Sequence, residues 1–283
     1  MPTISEALML ASSQLRNSSV PNDLLDAQTL LAHALGKDRT YLIINFNQTL
    51  SDEVLKQFQN YIDRRSTREP LQYIVGKQEF FGLDFEVTPD VLIPRPETEL
   101  IVEETIRLAA SLSHPIVIDV GTGSGCIAVS VARELSKAQV VATDISSKAL
   151  TVAARNAKRN GVEDQIKFVA GDLFQEIPPN LKADFILSNP PYIAASEMPG
   201  LQLEVRDWEP KVALTDFGDG LQFYRRLLAE APDYLQSNGV LIFELGYQQS
   251  EQIKALVDRH IWNDPRALQD FQGIDRTMVL SRR

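Results

Sequence analysis

The chain has 283 residues, a single cysteine, 44% hydrophobic residues and a formal net charge of −10. At roughly 150 residues per domain, that length supports one large domain or two modest ones with cores that need no cross-link, and a lone Cys excludes disulfide scaffolds and Cys-rich zinc sites. The acidic balance argues against a general nucleic-acid binder, because neutralising phosphates takes clustered Lys and Arg.

The first residues, MPTISEALML, carry no basic stretch, and nothing in the chain approaches about 18 uninterrupted apolar residues. No signal peptide, membrane span or membrane partner is therefore expected, and a single thiol fits a reducing cytoplasm. From Ile4 to about Arg68 the spacing is helical. Leu24, Leu25, Ala27, Leu30, Leu31, Ala34 and Leu35 recur every three or four residues, and Gly36 ends that run as a C-cap. Pro21-Asn22-Asp23 and Ser51-Asp52-Glu53 read as helix starts, with Glu53 to Arg65 as a solvated, charged helix. Residues 1–75 thus read as a small helical bundle without a catalytic constellation, suited to structure or to partner docking.

Between Gln78 and Ile93, β-formers cluster around Gly82 and Pro89-Asp90, which predicts a hairpin pairing Phe80-Phe81 with Phe85-Glu86-Val87. Residues 76–95 are taken as a β-hairpin linker. Ile93-Pro94-Arg95-Pro96-Glu97-Thr98-Glu99 is a stiff connector, since each proline fixes its φ and biases the preceding residue toward extended backbone. A helix is predicted from about Glu97 to Leu112. Over residues 96–283, short apolar runs alternate with helical patterns: Ile116 to Val120, Gln139 to Asp144, Ile166 to Val169, Phe185 to Ser188, Val240 to Glu244 and Thr277 to Leu280. Near-continuous β-branched runs separated by helices specify an α/β domain with a doubly wound, mostly parallel, Rossmann-like sheet. Ligands of such a sheet sit beyond the C-terminal ends of its strands.

Each of those ends carries chemistry. After the first lies Asp119-Val120-Gly121-Thr122-Gly123-Ser124-Gly125-Cys126, opening a helix. The glycines allow a tight turn and close backbone approach, and their G-x-G-x-G spacing departs from the dinucleotide G-x-G-x-x-G, pointing to a smaller nucleoside cofactor. Asp144, ending the next strand, suits either the two hydroxyls of a ribose or the start of the helix that follows. Asp172, in Gly171-Asp172-Leu173-Phe174, is either an adenine contact or a loop cap, with Leu173 supplying an apolar edge.

The most specific feature is Ser188-Asn189-Pro190-Pro191-Tyr192-Ile193. Two prolines after a buried strand make a rigid extended turn whose carbonyls cannot pair in the sheet. Asn189 Oδ1 and the Pro190 carbonyl are then acceptors for a planar –NH₂ group, with Pro191 shaping the turn and the Tyr192 ring available to pack on the flat face. Cys126 reads as a packed side chain, and His33, His114 and His260 as surface or packing residues. Arg95, Glu97 and Glu99 either line the mouth of the site or form linker salt bridges. Glu204, Asp207, Glu209 and Glu244 read as loop caps and solvated charges, and the long stretch from Ile193 to Asp219 as a substrate-facing lid.

At these residues the chain resembles class I S-adenosylmethionine-dependent methyltransferases acting on amide or amino nitrogens: Asn189-Pro190-Pro191-Tyr192 looks like their [D/N]PPY motif and Asp119 to Gly125 like their cofactor loop. The motifs Phe80 to Phe85, Leu92 to Glu99, Glu209 to Leu214, Gly218 to Leu221 and Phe243 to Gly246 occur in the same order in the release-factor glutamine methyltransferases (HemK/PrmC family), and this narrower likeness spans nearly the whole chain. One departure is Leu173 followed by Phe174, where the family often has an aromatic directly after the third-strand Asp.

The resemblance implies N5-methylation of the glutamine in the Gly-Gly-Gln motif of class I peptide-chain release factors. It assigns catalysis to Asn189, Pro190 and Tyr192, and substrate contact to those residues and Pro191. S-adenosylmethionine falls to Asp119, Gly121, Thr122, Gly123, Ser124, Gly125, Asp144, Asp172, Leu173 and Asn189, with no metal. The chain is expected to act as a monomer in the cytoplasm on a protein partner. A DNA adenine-N6 methyltransferase would present the same –NH₂ to the same motif, but needs a basic groove that the charge of −10 does not supply.

Overall fold

The six predicted strands and one further strand assemble into a seven-stranded sheet in the computed structural model, which describes residues Met1–Arg283. The chain divides into two units, Met1–Lys77 with Gln202–Trp208, and Gln78–Leu201 with Glu209–Arg283.

The first unit is helical: α1 (Ile4–Asn17), α2 (Asp23–Leu35), α3 (Arg39–Ile44), α4 (Asp52–Ser66) and α5 (Leu71–Val75). Thr3 and Glu6 form a reciprocal capping box at the start of α1, Ser51 caps α4, and Gly36 ends α2 in the left-handed conformation anticipated for it. Ile4, Leu15, Leu30, Leu31, Phe58 and Ile62 fill its core. The α4 helix departs from the solvated reading at its end: Arg65 is buried and pairs with Asp26 (2.8 Å) and with Glu204 (2.9 Å), to which Arg68 also donates. Glu204 belongs to α9 (Leu203–Trp208), contributed to this unit by a distant part of the chain, and is an ion-pair partner where a solvated charge was expected.

The second unit begins with the hairpin of β1 (Lys77–Phe80) and β2 (Leu83–Glu86). Phe81 and Gly82, both at positive φ, make its two-residue turn. Phe80 and Phe85 are buried in this unit's core, so the hairpin is part of the α/β domain and the linker reading of residues 76–95 is corrected. There follow α6 (Glu99–Ala109), β3 (Ile116–Val120), α7 (Cys126–Glu134), β4 (Gln139–Asp144), α8 (Ser147–Arg159), β5 (Ile166–Ala170), β6 (Ala183–Ser188), α10 (Gln222–Glu230), β7 (Leu235–Glu244), α11 (Ser250–Leu256), β8 (Arg266–Gln269) and β9 (Asp275–Ser281). The strand order is β5-β4-β3-β6-β7-β9-β8, with only the β7–β9 and β9–β8 pairs antiparallel.

Successive side chains point to opposite faces. Val117, Phe185, Leu187 and Ile242 therefore pack in the layer with α6, α7 and the hairpin, while Ile118, Ile186, Leu241 and Phe243 pack with Tyr224 and Leu227 of α10 and Ile253 of α11. The order reverses between β3 and β6, whose ends pair Val120 with Ser188. Their following loops, Gly121–Gly125 and Asn189–Tyr192, thus meet at the topological switch point where such sheets bind ligands. No helix is long and apolar enough to cross a membrane.

Candidate active site

The glycine loop is shaped from behind. Gly121 and Thr122 both donate their N–H to the Thr143 carbonyl (2.9 Å each), and Asp119 Oδ2 accepts from the Thr122 hydroxyl (2.6 Å) and from Ala128 N at the start of α7 (3.2 Å). Asp119 is fully buried with Oδ1 unpartnered, and burial above all pushes its carboxyl up to about 7. It stands outside the cavity in front of the loop. Its side chain faces the α7 layer and ties the loop to the helix.

Gly121, Thr122, Gly123, Ser124, Asp144, Asp172, Leu173, Asn189 and Pro191 line one cavity, together with Arg95, Thr98 and Cys126. Asp144 is held by Gly123 N on Oδ2 (2.9 Å) and Ser146 N on Oδ1 (2.8 Å), and burial raises its pKa above the usual carboxylate range. Asp144 lines the cavity and braces the turn into α8, but the N-cap of that helix is Ser146, so the helix-cap reading of Asp144 is corrected. Asp172 also lines the cavity, but both its oxygens accept from Arg226 (2.9 and 3.0 Å), an ion pair neither earlier reading contained. Leu173 supplies the apolar wall at positive φ, whereas Phe174 is buried and stacks on Tyr234 at 4.8 Å. The Cys126 thiol, pushed up to about 12 by burial, stays protonated and packs.

The residues present fit a nucleoside cofactor. An added Cβ at Gly121 or Gly123 would meet nothing within 4 Å, so the loop presents bare backbone to open space, with the Asp144 carboxylate beside it.

Past β6, Asn189 and Pro191 reach the cavity wall, while Pro190 and Tyr192 stand outside it. Asn189 Nδ2 donates to Thr98 Oγ1 (3.2 Å), and Oδ1 accepts nothing from the protein; the Pro190 carbonyl likewise has no protein donor. The Tyr192 hydroxyl donates to Glu244 Oε1 (3.0 Å), and that charge first, then burial, raises the phenol's pKa well above its ordinary value. Glu244 is 2% exposed, a buried partner of Tyr192 and Thr98 and not a solvated charge. Glu209 is also buried, accepting from Ile93 N (3.2 Å) and paired with Arg95. Arg95 therefore both lines the cavity and forms a salt bridge, while Glu99 accepts from Phe81 N (2.8 Å) to hold the hairpin turn. The stretch after Tyr192 gives Pro210, Val212 and Ala213 to the wall. His33, His114 and His260 are all exposed, and none of them lines the cavity.

Sequence reasoning passed over Thr98 and read Glu244 as a cap or solvated charge. The available signal was position, since a carboxylate ending a buried parallel strand next to the switch point lies on the ligand edge of the sheet.

Comparison with known proteins decides the family. Residues 6–76 match the PrmC N-terminal domain and residues 98–202 the methyltransferase small domain. A release factor glutamine methyltransferase of Geobacter sulfurreducens is 44% identical over 276 residues, covering 98% of this chain and 95% of the relative. The chain belongs to the release factor glutamine methyltransferase family. Its relative of that name in Bacillus subtilis is 39% identical, covering 98% of this chain and 97% of the other. Among solved structures, a methyltransferase from Pyrococcus furiosus (TM-score 0.52, 22% identity, 71% of this chain and 89% of that one) and the hMettl16 catalytic domain (TM-score 0.57, 19% identity, 79% and 80%) share the fold. As a member of the family the chain is an enzyme of the protein-glutamine methyltransferase class, with the Rossmann-like domain of methyltransferases.

Proposed function

We propose that the chain transfers the methyl group of S-adenosylmethionine to the side-chain nitrogen, N5, of the glutamine in the Gly-Gly-Gln motif of class I release factors. The observation that carries this reading is the pair of acceptors, Asn189 Oδ1 and the Pro190 carbonyl, that follow one another at a strand end with no donor from the protein. A primary amide offers two N–H groups in one plane, and two fixed acceptors define that plane and so the line, normal to it, along which the nitrogen is approached.

Gly121, Thr122, Gly123 and Ser124 would hold the cofactor, with Asp144 accepting from its ribose hydroxyls and Leu173 against the adenine. S-adenosylmethionine, when bound, supplies an electrophilic methyl group. An amide nitrogen is a weak nucleophile because its lone pair is delocalised into the carbonyl, so the protein's contribution is alignment and stabilisation of the positive charge that develops on nitrogen. Alignment of this kind accounts for several of the roughly 7–11 kcal/mol available from positioning, and fixed acceptors add an electrostatic share. The alkylated nitrogen is acidic and gives its proton to water. This agrees with a cavity wall that carries neither His nor Lys. A net charge of −10 and the names of the relatives both favour a protein substrate.

The test is incubation with methyl-labelled S-adenosylmethionine and a full-length release factor, followed by mass spectrometry of the Gly-Gly-Gln peptide. One methyl group on that glutamine is expected. Equal labelling of a release factor with the glutamine replaced by Ala would refute the reading.

A further inference from the structure

Glu244 ends β7 beside the Asn189 turn, because the register pairs Phe243 with Ser188 on β6. Its two oxygens divide the motif between them: Oε2 accepts from the Thr98 hydroxyl, and Oε1 accepts from the Tyr192 hydroxyl at 3.0 Å. Thr98 is 1% exposed and its oxygen accepts in turn from Asn189 Nδ2 at 3.2 Å.

The direction of this chain follows from the donor inventory. A carboxylate only accepts, a hydroxyl has one proton, and an amide has a donor end and an acceptor end that exchange when it rotates by half a turn. Were the Thr98 proton free, it would equally well be given to Asn189 Oδ1, turning that oxygen away from any incoming amide. Once Glu244 is ionised, above the titration that burial pushes up to about 7, it takes the proton, so Thr98 is left with lone pairs for Asn189 and Nδ2 is the end that faces it.

We propose that Glu244 and Thr98 are positioning residues for the transfer. The Glu244 carboxylate sets the polarity of the Thr98 hydroxyl, Thr98 thereby holds Asn189 with Oδ1 toward the substrate, and the second carboxylate oxygen anchors Tyr192. The inference rests on the reading that Asn189 Oδ1 receives the substrate amide.

The experiment compares the full chain with its E244Q, T98V and T98S variants in steady-state methylation of a full-length release factor, alongside NMR of the Asn189 side-chain –NH₂ group. T98V is isosteric and removes only the hydroxyl, so it carries the test even if E244Q folds poorly. T98V is expected to lower kcat by about 10- to 100-fold, the scale of a small misplacement at a reacting centre, with the KM for S-adenosylmethionine changed less than about threefold. T98S restores kcat to within about threefold, and the double variant E244Q/T98V is no slower than the slower single variant, as members of one chain require. Wild-type kcat in T98V, T98S as slow as T98V, or a cofactor KM rising as far as kcat falls overturns the inference. If the wild-type chain methylates no release-factor glutamine, the proposed function fails and the resonances decide the inference alone. They shift in T98V and return in T98S if Thr98 holds the amide, and unchanged resonances in T98V overturn it.

Discussion

Asn156 of α8 donates from Nδ2 to the carbonyl of Ser124 at 2.9 Å, tying the glycine loop to the helix behind it. The same side chain donates to the Glu86 carbonyl (3.0 Å) and accepts the Glu86 N–H on Oδ1 (2.7 Å), so one fully buried amide satisfies three backbone groups on two different segments. Asn156→Leu is expected to leave all three unpaired in the interior. Destabilisation of roughly 2–5 kcal/mol follows, since each orphaned buried group costs about 1–3 kcal/mol and their effects overlap. Urea unfolding of the wild type and the variant measures it, and a loss below about 1 kcal/mol would contradict the accounting.

Two glycines of the loop should respond differently to Ala. Gly125 has φ 82° and its added Cβ would lie 3.0 Å from Ala153 Cβ and 3.2 Å from Ala153 Cα, so the helix backbone must move. Gly123 has φ 55° and nothing within 4 Å, so a methyl there costs mainly the left-handed backbone, about 1 kcal/mol, but projects into the cavity that the proposed function gives to the cofactor. Gly125→Ala is expected to lower thermal stability more, and Gly123→Ala to weaken S-adenosylmethionine binding more per unit of stability lost. Calorimetric titration and thermal scans of both variants would show the crossover or its absence.

If the proposed function holds, Asn189→Ala removes an acceptor for the substrate amide while leaving the glycine loop and Asp144 untouched. By analogy with removal of one preorganised hydrogen-bonding group, kcat falls about 10²- to 10³-fold. Cofactor affinity changes by less than about fivefold, because uniform binding is not what the side chain supplies. Equal losses in turnover and in cofactor binding would instead mark Asn189 as a cofactor ligand only.

The strand interiors were legible because a sheet buried on both faces leaves continuous apolar runs, and the loops at Gly121–Gly125 and Asn189–Tyr192 because Gly and Pro punctuate a chain so sharply. The β8 strand, Arg266–Gln269, escaped notice since it sits at the sheet edge with no buried residue and lacks that run. Glu244, Thr98 and Asn156 were illegible for another reason. Their roles depend on partners far along the chain, 146 positions for Thr98 and Glu244, and a polar residue in a strand end or an amphipathic helix has the same local pattern whether or not such a partner arrives. The placement of α9 with the helical unit was hidden likewise, being set by Arg65 and Arg68 meeting Glu204.

Buried carboxyls give the stability an unusual pH slope near neutrality. Asp119 and Glu244 are each pushed up to about 7, chiefly by burial, whereas the unfolded chain binds these protons near the ordinary values of about 3.9 and 4.3. Between those limits the folded state holds more protons than the unfolded one, so their contribution to stability is fully present below about pH 4 and is lost as pH rises through about 7. Asp219, lowered to about 2 by Arg225, and Asp270, lowered by the Ile274 N–H, have the opposite sign, but their contributions are complete above about pH 5 and do not change further. His33, depressed by burial, opposes the trend across its own titration, though its ring is exposed and its share small. The urea midpoint is therefore expected to fall from pH 5 to pH 7.5. Asp119→Asn separates the causes: its Oδ1 can still accept from Thr122 and Ala128, its –NH₂ takes the place of an oxygen that has no partner, and it cannot titrate. The variant should show a shallower fall than the wild type over the same interval, and parallel curves for the two proteins would mean that Asp119 does not titrate there.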